Sequence, residues 1–139
     1  MASSSQRLRF DHEQGGRIGL HASGMGKAVL AFSTRDVARA IPAGMSLGRF
    51  TEHTVVDRDE LLADLATIRE RGYAVNDQGR FDGVVGVAAP LLGRDGVARA
   101  AVGVQGPSSR LTPDKLSGVA DAVMEAAQEL ADLPVLDRL

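Results

Sequence analysis

Two β-rich runs, Val84–Leu92 and Val97–Gln105, are separated by the dipeptide Asp95-Gly96. That pattern dictates an antiparallel hairpin, because Asp-Gly supplies the positive-φ turn whose twist matches paired strands. A two-residue turn pairs Arg94 with Val97 and, counting back, Ala88 with Gly103 and Gly86 with Gln105. Side chains alternate across a strand, so both faces of the hairpin can be written down. One face carries Val85, Val87, Ala89 and Leu91 with Ala100, Val102 and Val104, and is expected to cover helices. The other carries Val84, Gly86 and Ala88 with Ala101, Gly103 and Gln105. Glycines inside a strand mark close approach by a ligand or by another backbone. Two of them on a face of small residues, overlooked by Gln105, have the composition of a pocket floor. The same glycines would equally admit a closely packed protein segment, and the hairpin leaves both readings open.

The segment Leu20-His-Ala-Ser-Gly-Met-Gly-Lys-Ala-Val-Leu-Ala-Phe32 supplies a second constraint. A glycine-spaced turn, Ser23 to Gly26, runs directly into an apolar helical pattern carrying Ala28, Leu30, Ala31 and Phe32. The N–H groups at such a helix start lack intrahelical partners, and with the helix dipole they favour a carboxylate or another anion. Ser23 is the expected N-cap. A second short helix is expected after Thr34, with Val37, Ala40 and Ile41 inward, ending at Pro42 and Gly44. Asp57-Arg-Asp-Glu60 is a capping-box variant, followed by Leu61, Leu65 and Ile68 on one face and a stop at Gly72. Tyr73–Val75 reads as a short strand. Thr112-Pro113 opens a last helix that carries Leu116, Val119, Val123, Ala126, Ala127 and Leu130 and ends near Pro134. Helices mixed with antiparallel strands make an α+β chain.

The function classes narrow further by exclusion. A chain of 139 residues is one domain, and a formal net charge of −2 argues against a nucleic-acid-binding surface. No cysteine is present, which removes disulfides, thiolate metal sites and thiol nucleophiles and fits a cytoplasmic location. The longest apolar run, Val84–Leu92, is too short to cross a membrane, and Met1–Ser5 lacks the features of a signal peptide. Gly24-Met-Gly-Lys27 is not a phosphate-binding loop, since His21 and Ala28 stand where that motif needs Gly and Ser or Thr. Val29 occupies the third glycine of a dinucleotide fingerprint. His12, His21 and His53 are too scattered for a metal site, and no cofactor is implied. His21 is expected to be a satisfied structural histidine and Lys27 a solvated lysine. A Ser23–His21–aspartate triad can be drawn, but no nucleophile-elbow pattern supports it. Asn76-Asp77 ends a strand and offers either polar site groups or an ordinary turn.

Taken together, these segments resemble one family. Gly-x-x-x-x-Leu-His-Ala-Ser-Gly-x-Gly-Lys-Ala-x-Leu-Ala from Gly16, Arg69-Glu-Arg-Gly-Tyr-Ala-Val-Asn-Asp77, Gly83, Ala88-Ala-Pro90, the Asp-Gly turn and Gly106-Pro-x-x-Arg-Leu-Thr112 look like the effector-binding domain of IclR-type bacterial transcriptional regulators. The resemblance runs over roughly residues 16–131. It implies a GAF-like antiparallel sheet flanked by helices, a cavity for a small organic acid, and assembly as a homo-dimer or tetramer. Operator DNA would be bound only through an N-terminal winged helix-turn-helix domain absent from this fragment. The expected layout is an N-terminal remnant and incomplete domain start in 1–15, the effector-binding domain in 16–133 and a tail in 134–139. Effector contacts carried over from the family fall on Gly24, Met25, Asn76, Val84, Gly86, Gly103 and Gln105. Where glyoxylate- or pyruvate-type sensors hold small polar groups this chain has Gly86 and Gly103, and Asn76 replaces a common aspartate. Those departures imply a larger ligand, an aromatic or longer-chain acid. An enzyme using Ser23, His21 or Asp77, and a purely structural dimerisation module, are the alternative readings.

Overall fold

The computed structural model describes residues 19–34, 36–44 and 46–138. Gly16 and His12, with the expected remnant in 1–15, lie outside the described residues. Four helices are described: α1 (Gly24–Ala31), α2 (Val37–Ala40), α3 (Arg58–Arg71) and α4 (Pro113–Ala131). Strands β1 (Ala74–Asp77), β2 (Val84–Leu92) and β3 (Ala98–Pro107) form one antiparallel sheet in that spatial order. Single 3₁₀ turns precede α1 at Leu20–Ala22 and follow α4 at Pro134–Arg138. The fold is α+β, as the mixture of helices with antiparallel strands implies.

The hairpin keeps the expected pairing by a route other than the expected one. Gly93 N donates to Val97 O and Gly96 N donates to Gly93 O, so the loop has three residues, with Gly96 at φ 79. A tight turn followed by a left-handed glycine is the usual three-residue hairpin solution. By itself it would slip the register by one and turn every side chain to the wrong face. A bulge between Leu91 and Leu92 absorbs the slip: Leu92 pairs with Ala98 but Leu91 with Ala100, leaving Arg99 as the extra residue. Beyond it the expected pairs hold, including Ala88 with Gly103 and Gly86 with Gln105.

Both faces of the sheet are covered. Val87, Ala89 and Leu91 pack with Ala120, Val123 and Ala127 of α4, joined by Val102, Leu116 and Leu136. Val104 departs from the expected covering face, being 47% exposed in a surface depression that it shares with Gly118, Val119 and Ala122 of α4. Leu130 is likewise exposed, while Ala120, not singled out from the helical pattern, is fully buried. On the opposite face Ala88 joins Ala28, Ala31, Leu61, Leu65 and Ile68 from α1 and α3. A protein segment therefore does pack on the small-residue face, over the part nearest Ala88.

The capping signals act as their chemistry requires. Asp57 Oδ2 accepts from Glu60 N at 3.0 Å, and Gly72 closes α3 at φ 93. Thr34 Oγ1 accepts from Asp36 N ahead of α2, where Ile41 is buried; the side chain of Ala40 lies outside the described set. Thr112 makes no side-chain cap on α4, although Pro113 does open it. The strand expected at Tyr73–Val75 runs on to Asp77, because Asn76 and Asp77 pair with Gly86 and Val85.

Lys27 is not a solvated residue. It is 5% exposed, and its Nζ lies 2.8 Å from Asp64 Oδ2, tying α1 to α3. Removing one partner of a buried pair strands the other charge, which costs about 3 kcal/mol. Asp64→Ala should therefore lower the urea midpoint sharply, while the double variant Lys27→Met with Asp64→Leu recovers most of the loss. A second expectation concerns two glycines. A Cβ at Gly26 would strike the backbone of Leu20, so Gly26→Ala should cost at least about 2 kcal/mol. Gly118, on α4, has nothing within 4 Å of its would-be Cβ, and Gly118→Ala should stabilise by about 0.5–1 kcal/mol through helix propensity. Thermal unfolding of the two variants checks the contrast.

Candidate effector-binding site

The start of α1 is shaped by a tight chain reversal. After the 3₁₀ turn, Ser23 is extended, and its Oγ accepts from Gly26 N at 3.0 Å while its carbonyl accepts from Lys27 N. The cap thereby serves the third and fourth helical positions and leaves the N–H groups of Gly24 and Met25 for another acceptor. His21 is 1% exposed and contacts Gly48 O through Nε2 at 2.7 Å. Its ring faces Phe50 at 6.0 Å between centroids. Only one ring nitrogen is satisfied, since the buried Nδ1 has no partner, so the expectation of a satisfied histidine holds for half the ring.

The sheet supplies the facing wall. Asn76, Gly86 and Gln105 lie abreast on β1, β2 and β3, and Ala88 with Gly103 form the next row. Gly24 sits directly on this surface, where a Cβ would be 3.6 Å from Ala88 Cβ and from the Gly86 carbonyl carbon. The two strand glycines differ in kind. At Gly86 a Cβ would meet only ordinary contacts of 3.8 Å and beyond, whereas at Gly103 it would press on Val87 O at 2.9 Å. Gly86 opens space, and Gly103 lets two strands come close. Asn76 is 7% exposed, donates Nδ2 to Ala22 O at 2.9 Å, and has its Oδ1 against Gly79. An aspartate could not donate that bond, so the amide ties β1 to the approach of α1.

Between the α1 start and the sheet lies a cavity of about 360 Å³. Gly24, Met25, Asn76, Val84, Gly86, Gly103 and Gln105 all line it, so the structure brings the seven expected residues together. Two lining residues had no signal in the sequence: Arg80 and Phe81, in the β1–β2 connection. The Arg80 guanidinium carbon lies 4.0 Å from the Phe50 ring centroid and 5.7 Å from that of Phe81. An Arg-Phe pair in a polar connection has no periodicity to mark it, and only the fold turns it toward the cavity. Among the described residues, no Asp or Glu side chain lines the space.

The catalytic alternative finds no support in the hydrogen bonding. Ser23 Oγ is engaged at Gly26 N, His21 Nε2 at Gly48 O, and the exposed Asp77 takes a bond from Gln78 Nε2. Among the described residues no helix is long and apolar enough to cross a membrane.

Known proteins share both the sequence and the shape. A family model described as bacterial transcriptional regulator IclR C-terminal matches residues 2–132. The HTH-type transcriptional regulator BhcR of Paracoccus denitrificans is 40% identical over 130 residues, covering 94% of this chain and 47% of its own length. The crystal structure of Thermotoga maritima IclR superposes with a TM-score of 0.75 at 28% identity, over 81% of this chain and 45% of that one. The inducer-binding domain of the PobR transcription factor from Acinetobacter, solved as a double mutant with 3-hydroxybenzoic acid, gives 0.72 at 27% identity, over 81% of this chain and 65% of that one. This chain spans about half the length of the curated relatives it matches. By the family match over nearly all its residues, the chain belongs to the C-terminal domain family of IclR-type bacterial transcriptional regulators.

Proposed function

We propose that this chain is the effector-sensing and oligomerising part of a cytoplasmic transcription regulator, and that its cavity takes a small organic acid. The observation that carries the reading is the cavity itself. One wall is a helix start with two N–H groups left over by its cap, the other is a glycine-opened strand pair, and among the described residues no carboxylate lines either. Such a site attracts an anion through aligned backbone dipoles. The acid end rests on Gly24 and Met25, and Asn76 and Gln105 flank it. Val84 and Gly86 bound the body of the ligand. Because Gly86 leaves the floor open, the ligand is larger than glyoxylate or pyruvate, an aromatic or longer-chain acid. The complex of the PobR domain with 3-hydroxybenzoic acid supports a ligand of that size for a domain of this shape. The signal would pass to operator DNA through an N-terminal winged helix-turn-helix, with the chain acting as a homo-dimer or tetramer. The structural bonds of Ser23 and His21, and the relatives' names as regulators, support sensing over turnover.

Thermal-shift measurement against a panel of organic acids should find stabilisation by several degrees with an aromatic or medium-chain acid at saturating concentration. Stabilisation by glyoxylate or pyruvate and by nothing larger would contradict the reading. Gly86→Leu should fill the floor, keep the fold and abolish that shift; an unchanged shift would remove Gly86 from the site. Asn76→Asp loses the donor to Ala22 O and buries a charge, so it should lower the unligated melting point by the equivalent of about 1–3 kcal/mol.

A further inference from the structure

The cavity has two unlike ends. Abreast of Gly86 stand the polar side chains of Asn76 and Gln105, with the start of α1 opposite. Toward the beginning of β2 the lining turns apolar, through Val84 to Phe81 in the β1–β2 connection, and α1 contributes Met25. Phe81 is 50% exposed and Met25 is 52% exposed. Single exposed apolar side chains are ordinary, but two of them lining one cavity offer a water-facing apolar surface that a ligand can cover.

Phe81 is firmly carried. Thr51 Oγ1 donates to Gln78 O at 2.6 Å, and Thr54 Oγ1 to Gly79 O at 2.7 Å. Gly83 N donates to Gln78 Oε1, and Ser108 N, just beyond β3, donates to Gly83 O at 2.8 Å. The carbonyl of Phe81 itself accepts from Val84 N at 3.2 Å, which bonds it to the first residue of β2. The Arg80 guanidinium is within cation–π reach of both the Phe50 and the Phe81 rings and braces one against the other. A ring supported in this way loses little freedom when a ligand settles on it. From Gly86 to Val84 is two residues along β2, about 7 Å at the rise of a strand, and Phe81 lies beyond. An acid group joined to a ring by a short link spans that separation. An alkyl chain of the same reach gains only burial there, whereas an aromatic ring also gains offset or edge-to-face pairing with Phe81 and a sulfur contact with Met25.

We propose that Phe81 is a specificity-determining residue of this cavity and that the effector is an aryl acid, its ring on Phe81 and its acid group at the Gly24 and Met25 amides. This rests on the organic-acid reading above and narrows its ligand class. Isothermal titration of the full chain should compare 3-phenylpropionate with 3-cyclohexylpropionate, and phenylacetate with cyclohexylacetate. The cyclohexyl acids are the more hydrophobic, so burial alone ranks them first. The aryl acid of each pair should nevertheless bind roughly fivefold tighter. In Phe81→Leu, which keeps an apolar side chain at a half-exposed position, that ratio should collapse toward one, and in Phe81→Tyr it should survive. The chain has no tryptophan, so Phe81→Trp adds a sole fluorescent reporter at the proposed ring contact. Its emission should change on titration with 3-phenylpropionate and saturate at the calorimetric Kd. A ratio of one or less in the wild type, a full ratio surviving in Phe81→Leu, or binding that leaves the tryptophan emission unchanged overturns the proposal. Equal binding of both kinds of acid, lost in Gly86→Leu, would sink the ring preference and leave the acid sensor standing. Binding of neither kind to the wild type would overturn both.

Discussion

The register between β2 and β3 is the constraint on which the other features depend. It decides that Gly86 and Gln105 look toward α1 while Val87 and Val102 look toward α4. One residue of slip would exchange the faces, placing the valines in the cavity and the glycines under α4. The three-residue turn creates that slip and the bulge at Arg99 cancels it. Arg99 stays close to the turn it corrects: its guanidinium lies 3.2 Å from Asp95 Oδ2 and covers Gly93, where a Cβ would come within 2.7 Å of Nε. Turn and bulge are one device, and the exposed ion pair contributes little to it beside the backbone geometry.

Against that sheet, α1 has to be held in one place, and polar groups do most of the holding. An eight-residue helix is too short to persist on propensity alone. Its first turn is closed by Ser23, its middle is paired through Lys27 to Asp64, and its last carbonyls take the Arg69 guanidinium at Ala31 O and at Thr34 O just beyond. Asn76 fixes the approach at Ala22 O. Three of these four partners lie on α3 or β1, so the helix is positioned by neighbours that the sequence places more than thirty residues away. The small residues Ala28 and Ala31 then allow the approach to Ala88 that their size permits.

Much of this was readable residue by residue. Asp57, Gly72, Ser23, Pro113 and the alternation of the hairpin are local signals, in which a side chain acts on its own or an adjacent backbone, and each appeared where it was expected. So did the gathering of Gly86, Gly103 and Gln105, because strand pairing converts spacing into proximity, whereas Gly24 and Asn76 were expected beside them only from the family resemblance. What escaped was non-local. Lys27 is followed by nothing that announces Asp64, Val104 reads as one more inward valine until its packing beside α4 is seen, and Arg80 is an unremarkable charge in a turn. The three-residue loop escaped for a different reason: turn and bulge compensate, so the pairing beyond them is the one that a two-residue turn would give.

The contrast between Gly26 and Gly86 bears on how such a domain can change over generations. Gly26 is locked against the Leu20 backbone and admits no side chain, while Gly86 has open space before it. The residues that carry the frame and the residue that sets the depth of the floor are therefore different residues. Under the proposed function, single steps at position 86 would alter what such a domain responds to without first requiring compensating stability elsewhere. Retuning is cheap at the floor and nearly forbidden at the cap, so divergence among relatives should gather on the strands and spare the turn.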